Sequence, residues 1–163
     1  MYRIILSGCA GKMGGVVTEA VAKRDDCEIV AGIDVADFPS LPYPVFLSFE
    51  ELSIEADVII DFSTPAALMP LLKYATEKHI ALMLAVTGYT DAQIDAIKKA
   101  SEITPIFFSA NMSLGINLLC ELAKTAARVL GDSFDIEITE AHHNNKIDAP
   151  SGTALMLANE INS

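Results

Sequence analysis

A chain of 163 residues and 17.5 kDa is one domain's worth of sequence, and with 52% hydrophobic residues and a mean hydropathy of +0.38 it can bury a core, which excludes disordered, collagen-like and low-complexity classes. Eleven basic residues stand against 22 acidic ones, a net charge of −11, and the only basic clusters are Lys23-Arg24 and Lys98-Lys99, so no face is suited to displacing counterions from nucleic acid. The longest apolar run, Ile80 to Val86, falls far short of the roughly 20 residues of a membrane span.

In chain order the pattern alternates strand and helix from the first residue. Tyr2–Ser7 is a short apolar run suited to a buried parallel strand, and is too short for a secretory leader, which predicts a cytoplasmic protein. Lys12–Lys23 carries a helical stripe at Val16, Val17, Ala20 and Val21. Glu28–Ile33 reads as a second strand ending at Asp34. Val35–Pro44 holds three prolines and reads as a loop, followed by a brief strand at Pro44–Leu47 and one helical turn at Phe49–Leu52. Asp57–Phe62 is a strong strand. Thr64-Pro65 gives an N-cap with proline at the first helical position, opening a helix to about Lys78. Ile80–Val86 is the next strand, and Thr90 with Gln93 forms a capping box that opens a helix through Ala100. Thr104–Phe108 is a further strand. Ser113 caps a long amphipathic helix to Leu130, stopped by Gly131. Repeated βα units predict an α/β fold with a doubly wound parallel sheet.

Phe134–Ala141 departs from that style. Phe134, Ile136 and Ile138 alternate with Asp135, Glu137 and Thr139, the pattern of a half-exposed strand in a mixed or antiparallel sheet. A polar loop, His142–Pro150, then leads to Ser151, which caps a last helix over Gly152–Ile161. The change of style divides the chain into residues 1–114 and residues 115–163.

Three stations carry chemistry. Gly8-Cys9-Ala10-Gly11-Lys12-Met13-Gly14 follows the first strand and opens the first helix. Glycine at 8 permits a tight turn, at 11 a close approach of pyrophosphate, and at 14 close packing of helix on strand. Asp34, 26 residues after Gly8 at the end of the second strand, stands where a carboxylate takes ribose hydroxyls. A 2′-phosphate there would meet that carboxylate with no arginine or lysine in 34–44 to offset it, which predicts NADH as the preferred cofactor and NADPH as the second. The loops at the strand ends, Asp61–Pro65, Ala85-Val86-Thr87-Gly88 and Ser109-Ala110-Asn111-Met112-Ser113, are the expected contacts for the rest of the cofactor. The third station is Glu140–Ala154, with His142, His143 and Lys146 in a loop and Ser151-Gly152-Thr153 opening a helix. Imidazole suits proton donation near neutral pH, lysine suits a carboxylate, and a helix N-terminus holds anions, so the set points to a small acidic substrate. No metal is expected. Adjacent histidines at a strand end point to opposite sides, the remaining His79 is distant, and Cys9, Cys27 and Cys120 form no CxxC pair.

The run Glu140-Ala-His-His-Asn-Asn-Lys-Ile-Asp-Ala-Pro-Ser-Gly-Thr-Ala154 resembles the signature of the 4-hydroxy-tetrahydrodipicolinate (dihydrodipicolinate) reductase family. Gly8–Gly14, Ile60-Asp-Phe-Ser63, Thr87-Gly88 and Ala110-Asn-Met-Ser-Leu-Gly-Ile-Asn117 stand in that family's order and spacing. The resemblance implies a Rossmann domain joined to a substrate domain with a mixed sheet, usually in a homo-tetramer. It implies reduction of a cyclic imine dicarboxylate by NADH or NADPH in lysine and diaminopimelate biosynthesis. By the same resemblance His142 is the general acid and Lys146 the second proton donor, while His143, Gly152 and Thr153 contact the substrate carboxylates. Gly8, Cys9, Ala10, Gly11, Lys12, Met13, Asp34, Ala85, Val86, Thr87, Ser109, Ala110, Asn111 and Met112 contact the cofactor. Two features depart from the family: Ala85-Val86-Thr87-Gly88 stands where Gly-Thr-Thr-Gly is usual, and members of the family continue beyond this sequence. The second departure motivates an alternative, a non-catalytic dinucleotide-binding module or inactive fragment.

Overall fold

The computed structural model describes residues 1–36, 38, 40–109, 111–144 and 149–162. The chain divides into two compact units, Met1–Phe108 and Ser109–Ser163.

The first unit is built on β1 (Tyr2–Ser7), β2 (Cys27–Ile33), β3 (Val45–Phe46), β4 (Val58–Asp61), β5 (Ala81–Leu84) and β6 (Ile106–Phe108). They form one parallel sheet in the order β3-β2-β1-β4-β5-β6. The chain moves outward from β1 through β2 to β3, then returns to the other side of β1 at β4. The strand order therefore reverses between β1 and β4, and a crevice opens beyond their C-terminal ends.

Side chains alternate between the two faces of the sheet. Ile5, Ala31, Ile33, Ile59, Leu82 and Leu84 pack into the larger core, covered by α2 (Leu68–Lys78) through Leu68, Leu71, Leu72 and Ala75, and by α3 (Asp91–Ser101) through Ile97 and Ala100. Leu6, Cys9 and Tyr43 form the smaller core, against which Val17 of α1 (Lys12–Val21) packs. The predicted stripe on α1 is narrower than expected, since Val16 is exposed. Tyr43 buries its ring there and satisfies its hydroxyl on Thr18 Oγ1 at 2.7 Å.

Local signals act as expected in most places. Thr90 and Gln93 close a reciprocal capping box on α3, and the Gln93 amide also donates to the Pro65 carbonyl at 2.7 Å. At Thr64 the outcome differs. The chain enters a short 3₁₀ turn, Pro65–Ala67, ahead of α2, and the Thr64 side chain makes no cap hydrogen bond. The strand expected from Thr104 begins at Ile106, because Thr104 is buried with its hydroxyl donating to the Ile80 carbonyl at 2.8 Å.

The second unit contains α4 (Leu114–Leu130), a 3₁₀ turn at Gly131–Ser133 and α5 (Gly152–Ile161). Ser113 and Ser151 are the N-caps, each accepting from the backbone N–H three residues on. The strand expected over Phe134–Ala141 is not formed. The segment carries no sheet pairing, and among the described residues the parallel sheet of the first unit is the only sheet, so the mixed sheet is absent too. A strand needs neighbouring backbone groups to satisfy its N–H and C=O, and none of the described residues supplies them. Phe134, Ile136 and Ile138 consequently remain 58%, 52% and 41% exposed.

Gly14 and Gly15 test the packing at the start of α1. A Cβ at Gly14 would collide with the backbone of Cys9 and Gly8, whereas at Gly15 it would meet nothing. Gly14→Ala is expected to cost at least ~1–3 kcal/mol, and Gly15→Ala to gain ~0.5–1 kcal/mol from helix propensity. Chemical denaturation of both variants checks the pair. Equal effects would contradict this account of the packing.

Candidate functional site

The turn after β1 is set by backbone geometry. Gly8 has φ +75°, and a Cβ there would lie 2.7 Å from the Phe62 carbonyl carbon and oxygen. The Gly11 N–H donates to the Gly8 carbonyl at 3.1 Å, and Gly11 is the N-cap of α1. Ala10, Gly11, Lys12 and Met13 are exposed at this helix start, while Cys9 is fully buried. The Cys9 thiol packs toward Gly32 and Tyr43, so Cys9 offers a ligand only its backbone. Burial, followed by the charge of Asp34, pushes that thiol up to about 11, so it is neutral and unreactive at physiological pH.

Asp34 is placed beside this turn. One carboxylate oxygen accepts from the Ala10 N–H at 2.9 Å, and the other accepts from the Val35 N–H at 2.8 Å. A carboxylate has about four acceptor positions, so capacity for two vicinal hydroxyls remains. Gly8, Gly11 and Asp34 line a cavity of about 440 Å³ together with Ser7, Ile33, Val35, Leu47, Ser48, Phe49, Glu50, Phe62, Ser63, Thr64, Ala67 and Pro70. Among the described residues its charged lining is two carboxylates, Asp34 and Glu50, with no lysine or arginine. Open glycine backbone at a helix start, an acid at the neighbouring strand end and an apolar wall suit the diphosphate, ribose and base of a nucleotide in turn.

The wall at Leu47, Ser48, Phe49 and Pro70 was not anticipated. The signal lay in the two-residue strand β3. Because β3 flanks β2, the residues after it rise over the same sheet edge as Asp34.

Asp61 ends β4 directly beside Ser7 of β1, and both are fully buried. One Asp61 oxygen accepts from the Ser63 N–H at 3.1 Å and from the Ser63 hydroxyl at 2.6 Å. Burial pushes the Asp61 carboxyl above the usual carboxylate range, only partly offset by the hydroxyl and N–H donors around it. Ala85 and Thr87 lie half-buried in the loop after β5, and Val86 points into the interior.

In the second unit, Asn111 and Thr153 come together: the Asn111 amide donates to the Thr153 hydroxyl at 2.7 Å, and its oxygen accepts from the Ser113 N–H at 2.8 Å. A residue expected to contact cofactor thus holds one expected to contact substrate. The Ser109 hydroxyl donates to the Asn111 carbonyl at 2.9 Å, and Met112 is exposed. Ser151 is buried, and both its N–H (2.8 Å) and its hydroxyl donate to the Glu140 carboxylate. The same carboxylate lies 3.5 Å from His142 Nδ1, an ion pair when the imidazole is protonated. Glu140, which carried no expected role, therefore ties the histidine segment to the start of α5, where Gly152 and Thr153 are half-buried. His142 and His143 are exposed. Lys146 and Ala110 lie outside the described residues. Among the described residues no group of three or more His, Cys, Asp or Glu could hold a metal, and no helix is long and apolar enough to cross a membrane.

A six-stranded parallel sheet with a glycine-rich turn at its reversal point and an acid at the next strand end defines a Rossmann-type α/β protein. The dihydrodipicolinate reductase N-terminus family matches residues 2–112, and the dihydrodipicolinate reductase C-terminus family matches residues 115–163. The chain belongs to the dihydrodipicolinate reductase family. It is 48% identical over 161 residues to a 4-hydroxy-tetrahydrodipicolinate reductase of Clostridium novyi, covering 99% of this chain and 64% of that protein. With the enzyme of the same name from Caldanaerobacter subterraneus it shares 50% identity over 162 residues, covering 99% of this chain and again 64% of the relative. It thus spans about 64% of the length of these relatives. The structure of a dipicolinate-bound dihydrodipicolinate reductase from Paenisporosarcina sp. TG-14 superposes with a TM-score of 0.77 at 32% identity, over 99% of this chain and 65% of that one. A myo-inositol dehydrogenase from Corynebacterium glutamicum shares the fold at a TM-score of 0.55 and 19% identity, over 81% of this chain and 43% of that one.

Ser151→Ala removes the cap of α5 and the hydroxyl donation to Glu140, and keeps the backbone donation. It is expected to cost ~1–2 kcal/mol and to speed amide exchange at residues 152–154. Hydrogen exchange measures this directly; unchanged protection there would mean that the Glu140–Ser151 tie carries no energy.

Proposed function

We propose that this chain carries the cofactor-binding part and the first catalytic segment of a reductase that converts the cyclic imine dicarboxylate 4-hydroxy-tetrahydrodipicolinate to tetrahydrodipicolinate, in lysine and diaminopimelate biosynthesis. The observation that carries the reading is the cleft at the sheet's reversal point, floored by the glycine turn and flanked by Asp34. Residues 1–114 bind the dinucleotide, and residues 115–163 begin the substrate-binding part.

In this reading Gly8, Cys9, Ala10, Gly11, Lys12 and Met13 cradle the diphosphate at the N-terminus of α1. Asp34 takes the ribose hydroxyls. Ala85, Val86 and Thr87, with Ser109, Ala110, Asn111 and Met112, hold the nicotinamide end. When bound, the nicotinamide supplies the hydride. His142 holds the balancing proton, with the Glu140 carboxylate 3.5 Å from its Nδ1. Lys146 is the second proton donor. His143, Gly152 and Thr153 clamp the substrate carboxylates, in keeping with the planar dicarboxylate named for the Paenisporosarcina protein. The working form is a homo-oligomer, a tetramer by family resemblance, and the exposed Phe134, Ile136 and Ile138 support a surface covered by further chain. A binding-only role is the second reading, favoured by one observation: residues 134–141, which lead to His142, lack strand pairing. NADH binding without turnover of the imine would select it.

NADH is expected to bind at least ~10-fold tighter than NADPH. A 2′-phosphate ~4 Å from Asp34 is repelled by ~4 kcal/mol at an effective dielectric near 20, less once water and salt screen it. Dissociation constants for both cofactors check this, and Asp34→Arg is expected to move the balance toward NADPH. A clear NADPH preference in the unmodified chain would contradict it.

In a protein of the relatives' full length that carries these residues, His142→Gln is expected to lower kcat at least ~10-fold and leave NADH affinity unchanged. Steady-state kinetics and cofactor titration measure the two separately. An unchanged kcat would make His142 structural.

A further inference from the structure

In the second unit Asn111 is held at its backbone and at both ends of its side-chain amide. The Ser109 hydroxyl donates to its backbone carbonyl at 2.9 Å. The Ser113 N–H donates to its side-chain oxygen at 2.8 Å, and its amide nitrogen donates to the Thr153 hydroxyl oxygen at 2.7 Å. Ser113 is itself fixed at the start of α4. Its hydroxyl accepts from the Ile116 N–H, and its carbonyl accepts from both the backbone N–H and the side-chain amide of Asn117. Thr153 lies in the first turn of α5, two residues after Ser151, whose N–H and hydroxyl are tied to Glu140. Asn111 and Thr153 are both half-buried.

The direction of these bonds is forced. A backbone N–H can only donate, so the Asn111 atom that faces Ser113 is the amide oxygen and the atom that faces Thr153 is the nitrogen. An amide nitrogen can only donate in its turn, so the Thr153 hydroxyl receives at its oxygen. A hydroxyl carries one proton, and Asn111 does not use it. Among the described residues no other group accepts it. The Thr153 O–H is therefore left to donate to a ligand.

We propose that Asn111 is a positioning residue for the substrate clamp: by donating to Thr153 it commits that hydroxyl to act as a donor, and so fits the position to a carboxylate, which only accepts. The proposal rests on Thr153 contacting a substrate carboxylate, as proposed above. Asn111 acts there through Thr153 rather than by touching the substrate. An acid at position 111 would invert the arrangement. One oxygen would keep the bond from the Ser113 N–H, while the other would take the Thr153 proton and leave only lone pairs for the substrate.

Action through Thr153 has an energetic signature that a purely structural role lacks. Groups that share one hydrogen-bond network do not lose their effects additively when both are removed. If Asn111 acts through the hydroxyl, its removal does little more once the hydroxyl is gone. If Asn111 only orders the 109–113 segment, through its bonds with Ser109 and Ser113, its removal has the same effect with the hydroxyl or without it.

The test uses the full chain with saturating NADH and titrates dipicolinate, a planar dicarboxylate, as the probe. Thr153→Val is expected to weaken its binding at least ~10-fold, and Thr153→Ser, which keeps the hydroxyl, by no more than ~3-fold. Asn111→Ala is expected to weaken it ~3- to 10-fold when Thr153 is present and less than ~2-fold in the Thr153→Val chain. Asn111→Asp, which reverses the bond and adds a charge of the wrong sign, is expected to weaken it at least ~10-fold. Equal losses from Asn111→Ala with and without the hydroxyl, or Asn111→Asp as tight as the unmodified chain, would overturn the proposal and leave the clamp standing. If Asn111→Ala does not fold, Asn111→Ser takes its place in the cycle, because its hydroxyl keeps an acceptor for the Ser113 N–H without the amide donor. Thr153→Val as tight as the unmodified chain, or no binding of dipicolinate by the unmodified chain, would overturn the reading of Thr153 as a carboxylate contact, and the proposal with it.

Discussion

At Gly8 the turn out of β1 lies so close to the Phe62–Ser63 backbone that no side chain fits between them. Much of the first unit depends on that approach. It brings the end of β1 against the end of β4, where the strand order reverses, and directs the chain into α1. Gly14 repeats the constraint one helical turn later, against the backbone of Cys9 and Gly8. Gly32 does so from β2, where a Cβ would strike the Cys9 sulfur and the Tyr43 ring. The three glycines pull turn, helix and neighbouring strand together and set the helix N-terminus at the cleft.

The polar groups at the strand ends convert this packing into a shaped site. Asp34 reaches across to the Ala10 N–H and pins the turn from the β2 side. Asp61 pins the Ser63 turn from the β4 side. The two carboxyls do different work because their surroundings differ. Asp34 is half-buried beside an open cleft and keeps acceptor capacity for a ligand, whereas Asp61 is wholly buried among hydroxyls, with its carboxyl raised by that burial.

Much of this was legible in the residues. Gly8, Gly14 and Asp34 announce themselves by type and spacing, and the capping residues Thr90, Ser113 and Ser151 act locally, as capping chemistry does. What escaped the sequence was non-local. Leu47, Ser48 and Phe49 join the cleft only because a two-residue strand is added beyond β2, and nothing in their own pattern says so. Asp61 reads as a strand-end acid until its register with Ser7 is known. Glu140 holds Ser151 across 11 positions of chain, a contact that alternation of apolar residues does not encode. Over Phe134–Ala141 the periodicity described the element wrongly: a strand is defined by its partners, and none is found among the described residues.

The central claim is that the cleft floored by the Gly8–Gly14 turn receives a dinucleotide. Residue-resolved amide shifts of the ¹⁵N-labelled chain on adding NADH test it most directly. The account predicts saturable shifts that are largest at the amides of Gly8, Ala10, Gly11, Asp34 and Ser63. Saturable shifts confined to other residues, or none at all, would contradict it.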